Sequence, residues 1–204
     1  GGVRIEIEKQ IPVSSGLGGG SSNAASTLKG MNQLFDLRIS FEKLHSLASR
    51  IGSDVPFFLH SGQAIARGRG ERIVPIRLYS DYWLVLICPN LMISTRRVYE
   101  ETKIDLTGDK LFVSLDFCEN KDEFFETLKQ FDNDLEKVVI SRHTIIEQIK
   151  KILENSGAIK SSMSGSGPAV YGLFEEKPQA EEVARKLKRD DWQIFLTRPI
   201  AFSS

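Results

Sequence analysis

Apolar and polar positions alternate strictly at the start of the chain, with Val3, Ile5 and Ile7 set against Arg4, Glu6 and Glu8. A period of two turns one row of side chains to a core and the other to water, so the chain is predicted to open as a strand. A strand needs neighbours, and this one leads us to expect a further part of its domain upstream of Gly1. From Ala24 the period changes. Ala24, Ala25, Leu28, Met31, Leu34 and Phe35 recur at helical spacing, and Phe41, Leu44, Leu47, Ala48 and Ile51 do so again. Two amphipathic helices are predicted, the first starting at Ser21 or Ser22, the second capped by Ser40 and stopped by Gly52. Short strand-like runs come next at 55–59, 63–66 and 72–76, punctuated by Gly62, Gly68, Gly70 and Pro75.

A second unit begins near Arg77. Trp83 to Ile87 is a continuous apolar run, as expected for a strand covered on both faces. Mixed helical segments come after it, with the clearest stripe at Ile145, Ile146, Ile149, Ile152 and Leu153. Residues 158–163, 169–174 and 192–196 read as strands, and Pro178 opens a helix with Glu181 and Glu182 expected in its first turn. The order resembles a ferredoxin-like unit with extra helices. The expectation is an α+β fold of two domains, 1–76 and 77–204.

Composition narrows the function classes. The 204 residues carry 27 Lys and Arg against 27 Asp and Glu, a balance that argues against a nucleic-acid partner. Two cysteines, Cys88 and Cys118, offer neither a disulfide framework nor a zinc site and suit a reducing compartment. No apolar run reaches the roughly 18 residues that a membrane span requires. His45, His60 and His143 read as helix-surface or strand-end residues with no ligand partner nearby in sequence.

The strongest local signal is the segment from Pro12 to Asn23, PVSSGLGGGSSN, between the predicted strand and helix. Glycines let the backbone approach a ligand, and the helix after them offers free N–H groups and the positive end of its dipole. That describes a phosphate cradle; a flexible linker or tight turn of Gly and Ser is the alternative. It is no Walker A motif, because no Lys-Ser/Thr pair closes it, and Ser21 stands where a dinucleotide fingerprint needs its third glycine. A second cluster, Ser162 to Pro168, fits a hairpin turn. Two glycine loops suggest a ligand held between two domains. Asp54, between Gly52 and Val55-Pro56-Phe57-Phe58, is either a partly desolvated general base, or the residue of a helix-ending turn or a cap for the following segment.

Taken together, Pro12 to Ala25 (PVSSGLGGGSSNAA), Gly52 to Leu59 (GSDVPFFL) and Ser164 to Phe174 (SGSGPAVYGLF) resemble motifs of the GHMP kinases, the superfamily of galactokinase, homoserine kinase and the mevalonate kinases. Ile93-Ser94-Thr95 leading to Val98-Tyr99, and Asn133-Asp134-Leu135-Glu136, resemble one branch of it. That branch phosphorylates the 2-hydroxyl of a cytidine diphosphate sugar alcohol, cytidine diphosphate methylerythritol, in non-mevalonate isoprenoid synthesis. The resemblance implies Asp54 as catalytic base, and ATP held by Pro12, Gly16, Leu17, Gly18, Gly19, Gly20, Ser21 and Ser22. It implies Mg²⁺ beside Ser21 or Ser22, the cytidine side lined by Thr95 and Tyr99, and Ser164, Gly165, Ser166 and Gly167 closing the site. A cytoplasmic monomer or weak homodimer is expected, or a plastid protein if a transit peptide lies upstream. Homoserine or mevalonate kinase, and a non-catalytic nucleotide-binding module, are the rival functions. Members of this branch begin with a strand-rich segment that carries a catalytic lysine and an aromatic–histidine pair, which nothing here matches, so an incomplete active site is expected. Ser14-Ser15 also departs from the Gly or Ala often found there.

Overall fold

The computed structural model describes residues 2–60, 62–68, 70–102 and 120–200. Helices α1 (Gly19–Leu34) and α2 (Phe41–Ile51) pack side by side over a 3₁₀ turn at Phe57–Leu59, enclosing Ala25, Leu44, Ala48, Val55 and Leu59. Ser40 caps α2 by accepting the Lys43 N–H at 3.4 Å, and Gly52 ends it, donating to the Ala48 carbonyl. A hairpin comes next, β1 (Gln63–Arg67) against β2 (Arg72–Ile76).

Two predicted strands of this unit are corrected. Residues 55–59 are consecutive turns, with the Val55 N–H on the Gly52 carbonyl and the Phe58 N–H on that of Val55. Pro56, at φ −56°, suits a helical turn, and Val55 and Leu59 are buried without any ladder. Residues 3–7 form no regular element and are unpaired, because no strand among the described residues lies beside them. Val3, Ile5 and Ile7 are 44%, 51% and 55% exposed and line a groove along Met31 and Leu34 of α1.

The second unit is a four-stranded antiparallel sheet of order β4-β5-β3-β6, formed by β3 (Trp83–Pro89), β4 (Lys160–Met163), β5 (Val170–Phe174) and β6 (Trp192–Thr197). Helices α3 (Thr95–Glu101), α4 (Lys121–Lys129), α5 (Asp134–Arg142) and α6 (Thr144–Asn155) intervene between β3 and β4, and α7 (Lys177–Lys186) connects β5 to β6. Tracing β3, α6, β4, β5, α7 and β6 gives the ferredoxin-like βαββαβ path. β3 is an inner strand. Val85 and Ile87 pack with Ile146, Ile149 and Leu153 of α6 and Val183 of α7, while Leu84 and Leu173 meet Phe124 and Phe125 of α4 on the other face. That two-sided cover is what its unbroken apolar run demands. Trp83 lies under Lys177 and Trp192 under Arg189, each at cation–π distance. Glu181 and Glu182 are corrected to the second turn of α7, since that helix starts at Lys177; they pair with Lys177 and Lys186. Cys88 is buried, which pushes its thiol pKa up to about 11; Cys118 lies outside the described residues.

The helical unit carries a titratable core contact. His60 meets the Phe41 ring edge-on at 4.9 Å and the His45 ring at 6.0 Å, and its Nε2 is buried without a hydrogen-bond partner. Burial first, then the charges of His45 and Lys29, lower its pKa from the ordinary 6.5. A depressed histidine pKa means that the unfolded chain binds the proton more readily. Its contribution to stability is complete above the unfolded pKa and declines as pH falls through that value towards the folded one. Thermal unfolding followed by circular dichroism should therefore show the midpoint dropping between about pH 7 and pH 5, with a shallower drop in His60→Phe.

Candidate active site

The segment between Pro12 and Gly18 is a tight, left-handed path. Ser14, Gly16 and Gly18 have φ of 55°, 79° and 66°, and the Ser15 hydroxyl donates to the Pro12 carbonyl at 2.8 Å. Gly18 is the N-cap of α1 and supplies no side-chain acceptor. Helix α1 starts at Gly19, earlier than predicted, because the glycines that propensity assigns to a loop form its first turn. The consequence is chemical. The N–H groups of Gly19, Gly20 and Ser21 stand at an uncapped helix end with the positive pole of the dipole behind them. Ser22 is different: its N–H is spent on the Gly18 carbonyl at 2.9 Å.

The second glycine turn, residues 163–168, packs directly on this loop. A Cβ on Gly16 would lie 2.2 Å from the Ser164 carbonyl oxygen and 2.9 Å from the Gly167 nitrogen. The Ser164 hydroxyl donates to the Gly16 carbonyl at 3.0 Å, and the Ala169 N–H donates to the Ser15 carbonyl at 3.0 Å. The Thr95 and Ser166 hydroxyls share a hydrogen bond of 2.8 Å, which joins the start of α3 to the same turn.

These pieces border one cleft of about 1260 Å³. It brings together Pro12, the run 16–21, Asp54, Thr95, Tyr99, Gly165 and Ser166, all singled out from the sequence. Ser164 lines an adjoining hollow beside Asp54 and Phe57. Two expected ligand residues fall outside. Ser22 is part of the α1 ladder, and Gly167 packs inward, where a Cβ would meet the Met163 sulfur at 2.5 Å.

Asp54 is exposed rather than desolvated, because the turn puts its neighbours Val55 and Pro56 into the core and leaves the carboxylate to the cleft. It is not a helix cap: Gly52 closes α2, and the 3₁₀ turn is preceded by Pro56 as its N-cap, without a side-chain acceptor. Its carboxylate accepts from the Ser53 hydroxyl at 3.3 Å. Tyr99 lies within its field, since burial and then the charge of Asp54 raise the Tyr99 pKa. Among the described residues no group of three or more His, Cys, Asp or Glu could hold a metal ion alone.

Sequence reasoning missed Lys9. It lines the cleft, and its ammonium lies 3.2 Å from where a Gly19 Cβ would stand, which adds a cation to the α1 N-terminus. The signal was available. Positions 3, 5, 7 and 11 form the apolar row, and Lys9 interrupts that row with a charge.

The model of the GHMP kinases N terminal domain matches residues 1–62, and that of the GHMP kinases C terminal domain matches residues 117–192. The 4-diphosphocytidyl-2-C-methyl-D-erythritol kinase of Enterococcus faecalis is 37% identical over 98% of this chain and 70% of its own length. That of Syntrophus aciditrophicus is 40% identical, with 98% and 71% covered. A crystal structure of 4-(cytidine 5'-diphospho)-2C-methyl-D-erythritol kinase superposes with a TM-score of 0.75 at 30% identity, covering 94% of this chain and 68% of that one. Homoserine kinase from Cytophaga hutchinsonii, at 17% identity and a TM-score of 0.70, over 95% of this chain and 68% of its own, shares the fold. No helix among the described residues is long and apolar enough to cross a membrane.

The seat of the loop on the turn can be tested with two glycines. Gly16→Ala places a Cβ at positive φ against backbone and should cost about 1–3 kcal/mol or more in urea unfolding. Gly20→Ala meets nothing within 4 Å and should be neutral or slightly stabilising. Equal costs for the two would show that the contact at Gly16 does not constrain the fold.

Proposed function

The chain belongs to the GHMP kinases, and from that membership we propose that it transfers the γ-phosphoryl group of ATP to the 2-hydroxyl of 4-diphosphocytidyl-2-C-methyl-D-erythritol, a step of isoprenoid precursor synthesis. Relatives so named are 37% to 41% identical across almost the whole chain, whereas the homoserine and mevalonate kinases superpose at 17% to 20% identity. The observation that carries the mechanism is the uncapped start of α1 facing the same cleft as Asp54.

The residues present fit a nucleotide triphosphate. Gly18 and Gly19 let the chain pass close to Phe58 and Ile11, Gly20 opens to the cleft, and Lys9 brings a positive charge to the helix end. The Gly19, Gly20 and Ser21 N–H groups would hold phosphate oxygens where charge grows during transfer. Mg²⁺, when bound, would neutralise the β- and γ-oxygens; with no protein cage among the described residues, it would rest on the phosphates and the Ser21 hydroxyl. Asp54 accepts the proton of the substrate hydroxyl as that oxygen attacks the γ-phosphorus, and the bond to the bridging oxygen breaks with its electron pair leaving on ADP. Tyr99 would offer a flat face for the cytosine ring, and the Thr95–Ser166 pair would hold the wall beneath it.

In the full-length protein, Asp54→Asn should lower kcat by roughly 10²- to 10⁴-fold while leaving the Kd for ATP and the melting temperature near the parent values. A fully active Asn variant would remove Asp54 from the chemistry. Tyr99→Phe should keep the KM for the cytidine substrate, and Tyr99→Ala should raise it about 5- to 100-fold without changing that for ATP. Identical KM values in the two variants would mean that no base stacks there.

A further inference from the structure

We propose that Asn133 and Glu136 are positioning residues for phosphoryl transfer: from the first turn of α5 they fix the 163–167 turn, and through it the glycine loop that faces the cleft. The spacing Asn-x-x-Glu at a helix start reads as a capping box, in which the glutamate reaches back to the cap residue. The geometry departs from that pattern. Asn133 does cap α5, its Oδ1 accepting the Leu135 N–H at 3.0 Å, but its Nδ2 donates to the carbonyls of Met163 and Gly165, both at 2.8 Å. Glu136 turns away from its own helix start, and Oε1 accepts the Met163 N–H at 2.9 Å. Its other oxygen takes the Lys150 ammonium at 2.6 Å, which compensates a carboxylate whose side chain is only 9% exposed.

Both backbone polar groups of Met163 are thus held by side chains of α5. The reason lies in the sheet. β4 is an edge strand that ends at Met163, so its outward N–H and carbonyl have no ladder partner, and the two α5 residues supply one. Directly after Met163 the chain enters the turn whose Ser164 hydroxyl binds the Gly16 carbonyl and whose Gly165 and Ser166 border the cleft. Neither Asn133 nor Glu136 lines the cleft, so their influence runs through the turn. With β4 untethered, Gly16 would lose the surface it is seated on, and the N–H groups of Gly19, Gly20 and Ser21 would no longer be held in one place. A misplacement of that kind is costly for a reaction that depends on positioning.

The inference rests on the reading of the cleft as the phosphoryl-transfer site, and two independent readouts separate them. Asn133→Ser keeps an oxygen for the Leu135 N–H but loses both donors to residues 163 and 165; Asn133→Asp does the same and sets a carboxylate against two carbonyls. In the full-length protein, hydrogen exchange at the Ser164, Gly167 and Ala169 amides should become at least about tenfold faster in both variants, with the α5 amides within about twofold of the parent. Steady-state kcat/KM should fall at least about tenfold. Ser161→Ala is the control: it removes a 2.6 Å hydrogen bond to Glu154 from the same strand without touching the turn, and should lower the melting temperature while leaving kcat/KM within about twofold. Unchanged exchange in the turn overturns the tether. Faster exchange with unchanged kcat/KM, or an equal kinetic loss in Ser161→Ala, overturns the positioning role. A parent protein with no ATP-dependent turnover overturns the reading of the cleft and with it the catalytic half of the inference, while the exchange rates judge the tether by themselves.

Discussion

The molecule depends on one contact, the backbone of Gly16 against the backbone of the Ser164–Gly167 turn, closed by the Ser164 hydroxyl on the Gly16 carbonyl. The separation is so small that a methyl group would overlap the Ser164 carbonyl. No Cβ fits between the two segments at Gly16, so their relative position is set by backbone geometry together with the Ser164 hydroxyl bond. The consequence passes along the chain in both directions. Two residues after Gly16 the left-handed Gly18 launches α1, and the same turn borders the cleft that contains Asp54. A kinase that relies on placing phosphates and a hydroxyl within bonding distance has good use for such a rigid joint.

Electrostatics divides between the two sides of that joint. The loop side gathers positive potential from the α1 dipole and Lys9, while Asp54 places a negative charge on the same cleft. Behind the turn, the Glu136–Lys150 pair is nearly dry and internally balanced, so it supports the turn without adding net charge to the site. Many other ion pairs, such as Arg96–Glu100 and Lys151–Glu147, are exposed helix pairs one turn apart and contribute little to either the fold or the site.

Much of the architecture was legible in local periodicity. The apolar run at Trp83–Ile87 reads as a strand covered on both faces, and β3 does lie between two strands with helices on either side. The stripe from Ile145 to Leu153 becomes α6 with Ile146, Ile149 and Leu153 fully buried. What periodicity missed is what depends on distant partners. The alternation at Val3–Ile7 has the signature of a strand, but a ladder needs a neighbour, and none is present among the described residues. Glycines 19 and 20 look like loop residues because their helical propensity is poor, yet an open first turn is useful where a ligand must approach. The reach of Asn133 and Glu136 to the turn was not legible, since Met163 and Gly165 are 27 to 32 residues away and no local rule connects them. Asp54 was singled out by its motif and does border the cleft, and its exposure was misjudged because the apolar residues Val55 and Pro56 beside it are turned into the core.

The placement of the tryptophans has an optical consequence. The chain has two, Trp83 on β3 and Trp192 on β6, and both belong to the four-stranded sheet. With Lys177 and Arg189 over their rings, their emission reports on that sheet and on the two cations that cover it. The helical pair α1–α2 contains no indole at all. Loosening of those helices leaves the emission unaltered while ellipticity at helical wavelengths falls, so the two signals, recorded on one sample, distinguish which half of the molecule has given way.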